Sequence, residues 1–109
     1  MDAFEFSKYA INSCSKYNFI QSIEIQLIDE PIVKIRAEIS NDAFINIFYN
    51  AETKKYSFAL IKQGKRIFGI DNTRNWHIHP FENPDNHLKT TNTSLLDFLN
   101  ILASNKNKW

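Results

Sequence analysis

The sequence predicts an α+β fold: a curved, five-stranded antiparallel meander with an N-terminal and a C-terminal helix packed on it. Three observations carry that prediction. Apolar residues recur at helical spacing near the start, five central segments alternate with period two, and a leucine-rich stretch returns to helical spacing near the end. Strands gathered between two helices, rather than interleaved with them, argue against parallel βαβ units. The chain has 109 residues, 43% of them hydrophobic, with only two Gly and three Pro. That is enough for one compact domain over residues 1–109, and too little Gly and Pro for a disordered or collagen-like chain.

In residues 3–17, Phe6, Tyr9, Ala10, Ser13, Cys14 and Tyr17 share one helical face, opposed by Lys8, Asn12 and Lys16. Over Ser22–Asp29, Ile23, Ile25 and Leu27 alternate with Glu24 and Gln26, the pattern of a half-buried strand. Glu30-Pro31 interrupts, and Ile32–Ser40 resumes with Val33, Ile35, Ala37 and Ile39 against Lys34, Arg36 and Glu38. Asn41-Asp42 turns the chain into residues 43–49, where Ala43, Ile45, Ile47 and Tyr49 share one face and Phe44 and Phe48 the other, so both faces read as covered. Tyr56, Phe58 and Leu60 alternate through the fourth strand, and a Gly64 hairpin returns the chain through residues 66–71.

Residues 71–93 show no period, a length that predicts either a functional segment or a strand hidden in it. Ser94 with Asp97 three residues later forms a capping box for a helix carrying Leu95, Leu96, Leu99, Leu102 and Ala103. Residues 105–109 read as a flexible tail.

Charge narrows the function classes. Thirteen Lys and Arg against twelve Asp and Glu leave a net charge of +1, so bulk charge lends no support to nucleic-acid binding. The distribution is uneven: residues 31–76 hold eight basic against four acidic side chains, and residues 1–30 two against five. The central bases suit phosphate contacts or a soluble sheet edge. One cysteine cannot form an internal disulfide, and the opening residues lack a basic, apolar leader, which predicts a reducing cytoplasm. No apolar run approaches the roughly 18 residues that span a bilayer, so no membrane is expected. Gly-rich phosphate loops and G-x-S-x-G elbows are missing, and Cys14 has no basic neighbour on its helix to activate it.

Chemistry concentrates in Asp71-Asn72-Thr73-Arg74-Asn75-Trp76-His77-Ile78-His79-Pro80 and in His87. In an extended backbone His77 and His79 point to the same face. Imidazoles titrate near neutrality, so one can take the proton of a ribose 2′-hydroxyl while another protonates the leaving oxygen. On that reading His77, His79 and His87 are acid-base groups and Asp71 orients one of them. Arg66 and Arg74 bind phosphate, with Asn72 beside them, and Trp76 stacks on an unpaired base. No cofactor is needed; a divalent metal on His77, His79 and His87 is the lesser alternative, since the spacing lacks paired cysteines or a helical His-Glu-x-x-His. The competing structural reading makes Asp71-Asn72 an Asx-type strand terminator and Trp76 a core residue.

The run Tyr56-Ser57-Phe58, Gly64-Lys65-Arg66-Ile67-Phe68-Gly69-Ile70-Asp71-Asn72, Trp76-His77-Ile78-His79 and Pro84-Asp85-Asn86-His87, followed by the leucine-rich helix, resembles the TumE-like family of toxin–antitoxin proteins. That family carries a Tyr-containing strand, a Gly turn, an Arg-x-Asp-Asn-Ala-Pro-His element, a Pro-His-x-His element and a short C-terminal helix. The resemblance covers roughly the second half of the chain. Asp71, Asn72 and His87 match, His77 and His79 match loosely, Gly69 stands where the family has Arg, and Thr73-Arg74-Asn75 replaces Ala-Pro-His. The resemblance implies a cytoplasmic toxin with a cognate antitoxin as partner and RNA or translation as target. Joined to the residues, it predicts a small metal-independent ribonuclease. The alternative is a non-catalytic protein-binding module or accessory factor of a toxin or phage-defence operon, with Phe44 and Phe48 as its exposed patch.

Overall fold

The structure, a computed structural model, describes all 109 residues. Helix α1 (Ala3–Cys14) precedes strands β1 (Ser22–Asp29), β2 (Ile32–Ser40), β3 (Ala43–Asn50), β4 (Lys55–Lys62) and β5 (Lys65–Asp71). Two short strands follow, β6 (His77–His79) and β7 (Leu88–Lys89), and then helix α2 (Leu95–Ser104). Neighbours in sequence are neighbours in the sheet throughout, each pair antiparallel.

The α+β class and the meander are as the sequence predicts; the sheet has seven strands, not five. The two extra strands lie in the segment without a period. A strand of three residues reading His-Ile-His, and another of two, are too short to display alternation, and only pairing defines them, β6 against β5 and β7 against β6.

Each strand of β2 to β5 sends alternate side chains to one face, where Val33, Ile35, Ile45, Ile47, Tyr49, Phe58, Leu60, Phe68 and Ile70 are buried. Both helices lie on that face and share its core. Phe6 of α1 stacks on Tyr49 at 4.5 Å between centroids, and Phe98 of α2 meets Phe58 at 5.6 Å and Phe68 at 5.7 Å. Each such buried side chain contributes about 1.5–3 kcal/mol over leaving it in water. Reciprocal capping boxes fix both helix starts: Asp2 with Glu5, and Ser94 with Asp97.

Two local differences have clear causes. A bulge between Ile25 and Leu27 shifts the β1 register, so Leu27 pairs with Lys34 and leaves the core face on which Ile23 and Ile25 stand. β1 is also an edge strand, and Ile25, Leu27 and Ile28 remain exposed. The opposite face of the sheet carries no second layer: Phe44 and Phe48 are half-buried by neighbouring side chains, with the Arg36 guanidinium 3.5 Å above the Phe44 ring. The bare aromatic patch of the binding-module alternative is therefore not formed. After α2 the chain makes a 3-10 turn over Lys106–Lys108, and Trp109 Nε1 donates to the Leu102 carbonyl at 3.0 Å. No helix is long and apolar enough to cross a membrane.

Candidate functional site

The helix-free face is built in rows. Reading across the ladder, Leu27, Lys34, Phe48, Ser57, Asp71, His77 and Lys89 are successive partners, and the adjacent row runs Glu24, Arg36, Asn46, Ala59, Gly69 and His79. The pairing of Asp71 with His77 and of Gly69 with His79 sets the carboxylate beside both imidazoles. A chain with period-two geometry needs only this register to put His77 and His79 on the same side as Asp71.

Asp71 bridges the two rings. Its Oδ1 lies 3.2 Å from His77 Nε2 and its Oδ2 lies 3.2 Å from His79 Nε2. The far side of each ring is held by backbone: His77 Nδ1 sits 2.9 Å from the Asn75 carbonyl and His79 Nδ1 3.2 Å from the Pro84 carbonyl. The segment after β6 folds over the cluster through that same carbonyl, which also accepts from Arg66 Nη2 at 3.2 Å. His87 arrives from this segment just before β7; its ring stacks on His77 at 4.9 Å and meets His79 edge-on at 4.5 Å. His79 is buried and His87 exposed, so the cluster runs from the covered sheet surface out to solvent.

Arg66, Asp71, Thr73, Arg74, His77, His79 and His87 line one open cleft of about 460 Å³ with no apolar residue in its wall. Burial acts to raise the Asp71 pKa, but the Thr73 backbone N–H, the His79 ring, the Thr73 hydroxyl and nearby His77 outweigh it and hold the carboxyl below its ordinary value. Burial dominates at His79 and, with Arg66 close by, holds that imidazole below its ordinary value against the opposing pull of Asp71. Gly69 makes room for this crossing: a Cβ there would stand 3.2 Å from Arg66 Cδ and 3.3 Å from the Phe58 carbonyl oxygen.

Of the residues singled out in the sequence, Asp71, His77, His79, His87, Arg66 and Arg74 meet in the cleft. Asn72 and Trp76 do not line it. The Asn72 amide staples two strands, accepting from Tyr56 N at 2.8 Å and donating to the Lys54 carbonyl at 2.8 Å. Trp76 packs against the core and stacks on Tyr56 at 5.8 Å. Sequence reasoning missed Thr73, whose N–H donates to Asp71 Oδ1 at 3.0 Å; the Asx-turn run Asp71-Asn72-Thr73 was the available signal. Lys34, Phe48 and Ser57 stand in the same ladder row as Asp71 through strand pairing, outside the residues that line the cleft.

A seven-stranded meander with both helices on one face, and a cluster of three imidazoles and a carboxylate on the other, defines a small α+β protein with a polar, titratable cluster on an open sheet. The family model described as Toxin TumE matches residues 11–105, most of the chain rather than its second half alone, and the chain belongs to that toxin family. No curated protein and no solved structure matches it.

Proposed function

We propose that this chain is the toxin of a toxin–antitoxin pair, that it acts in the reducing cytoplasm, and that it cleaves RNA at the Asp71–His77–His79–His87 cluster. The observation that supports the reading best is the row leading into the cluster, where a cation and an aromatic ring, Lys34 and Phe48, precede Ser57, Asp71 and His77 on the face without helices. Single-stranded nucleic acid is held by such a combination, bases stacking on rings and phosphates meeting cations. A depression of about 340 Å³ lined by Gln26, Lys34, Asn46, Phe48, Ser57 and Ala59 accommodates a base on this face. Arg66 and Arg74 in the cleft then hold the phosphate to be attacked.

The reaction is a transesterification. The ribose 2′-oxygen bonds to phosphorus as the bond from phosphorus to the 5′-oxygen breaks. The hydroxyl proton is taken up within the cleft and a proton is delivered to the departing oxygen, leaving a 2′,3′-cyclic phosphate and a 5′-hydroxyl. Nothing else is consumed. Purified protein incubated with single-stranded and duplex RNA oligonucleotides tests this. Cleavage of the single strand to those ends is expected, and RNA that survives intact with and without chelator and added metal would overturn it.

The antitoxin expected of such a toxin finds an unpaired strand in β1, where exposed Ile25, Leu27 and Ile28 flank a free backbone edge. Co-purification with the product of the adjacent gene, lost on Ile25→Lys and Ile28→Lys, is the corresponding check.

A further inference from the structure

We propose that His77, His79 and His87, with the Asp71 carboxylate beside two of them, hold one divalent transition-metal ion of the zinc class. The inference rests on reading this cluster as the reactive centre and concerns what that centre contains. A neutral imidazole carries one N–H. For His77 and His79 a backbone carbonyl faces Nδ1 and an Asp71 oxygen faces Nε2, and both only accept, so a neutral ring donates to one of them and turns a lone pair toward the other. With the proton on Nδ1, each Nε2 lone pair faces an oxygen of the Asp71 carboxylate at 3.2 Å.

Two pairs of electron-rich atoms at that separation repel each other unless something positive lies among them. Protons satisfy the carbonyl and the carboxylate together only by turning both rings into cations beside each other, with Arg66 lining the same cleft. One metal ion among the three imidazoles would take up the inward lone pairs and sit beside the Asp71 carboxylate. Donors bound tetrahedrally at the usual zinc distances lie roughly 3.3 Å from one another, close to what Asp71 shows with each ring. The third imidazole is in reach: one ring nitrogen from each of His77, His79 and His87 falls within 4.8 Å of the other two. Backbone carbonyls on the outer nitrogens are the arrangement that orients metal-binding histidines and sets their tautomer. Three imidazoles and one carboxylate favour zinc-class ions over magnesium or calcium, which prefer all-oxygen sites. His87 is exposed, so the ion would be open to the cleft that Arg66 and Arg74 line, where it would act as a Lewis acid on a bound phosphate oxygen.

Titrating metal-stripped protein with Co2+ alone tests the proposal without using RNA. One equivalent should produce the intense visible bands of four-coordinate cobalt, and Zn2+ should displace it. His87→Ala, at an exposed position, should weaken binding tenfold or more, and His79→Ala should do the same. Asp85→Asn, on the same segment but outside the cluster, should leave affinity unchanged. Failure of the wild-type protein to bind Co2+ or Zn2+, or binding that both histidine variants retain, would overturn the metal site. Chelator-insensitive RNA cleavage by a protein that binds no metal would refute this inference and leave the ribonuclease reading standing. Stoichiometric metal with intact RNA would do the reverse.

Discussion

His87→Ala separates a functional cluster from a structural one more cleanly than any other substitution. His87 is exposed, its ring accepts and donates no hydrogen bond within the chain, and its contacts are with the two neighbouring imidazoles. A surface substitution of this kind changes stability by about 0.5 kcal/mol or less. For a domain near this size, one kcal/mol moves the melting temperature by roughly 4–8 °C, so the shift should stay under about 4 °C. Cleavage of single-stranded RNA should nonetheless fall by about a hundredfold or more, the low end of what a group at the reacting centre contributes. His79→Ala gives a useful contrast. It removes a buried ring and its bond to the Pro84 carbonyl, so it should cost a further ~1 kcal/mol while abolishing the same activity. Thermal melts and initial cleavage rates on the same preparations provide both numbers. A His87→Ala protein that melts like the wild type and cleaves RNA at the wild-type rate would refute the reasoning. So would one that loses 8 °C or more, because the ring would then be holding the fold.

Other positions give independent checks. Asn72→Ala should destabilise by about 1 kcal/mol in urea, since it leaves the part-buried Tyr56 N–H without its acceptor, yet leave the cleavage rate per folded molecule unchanged. Phe48→Ala and Lys34→Ala should each weaken binding of single-stranded RNA while the rate at saturation holds, as fluorescence anisotropy and full saturation curves would report. Burial raises the Cys14 thiol from 9.0 to about 11. Between those values the unfolded chain has released a proton that the folded chain keeps, so stability falls as pH rises through this window, by up to about 3 kcal/mol. Cys14→Ala should show a correspondingly smaller loss on going from pH 8 to pH 11. The wild-type thiol should also react with a disulfide reagent only after unfolding.

Strands β2 to β5 were legible because each buries one face, which writes alternation into the sequence, and β1 shows the same alternation although Ile25, Leu27 and Ile28 stay exposed at the sheet edge. Both helices were legible for the same reason at a different period, and the Ser94–Asp97 box marks where the second begins. The short strands were not, because pairing of β6 with β5 and of β7 with β6, rather than their own composition, makes them strands. The site divides along the same line. His77 and His79 share a face by local backbone geometry alone, and a sequence shows that much. Placing Asp71 opposite His77, Lys34 and Phe48 in the same row, and His87 over both rings depends on register and on a segment anchored by the Pro84 carbonyl. Residue type and spacing along the chain thus determined the fold class and which groups can do chemistry. Long-range pairing decided which of those groups meet, because contact across a sheet is set by ladder register, to which no neighbour in sequence bears witness.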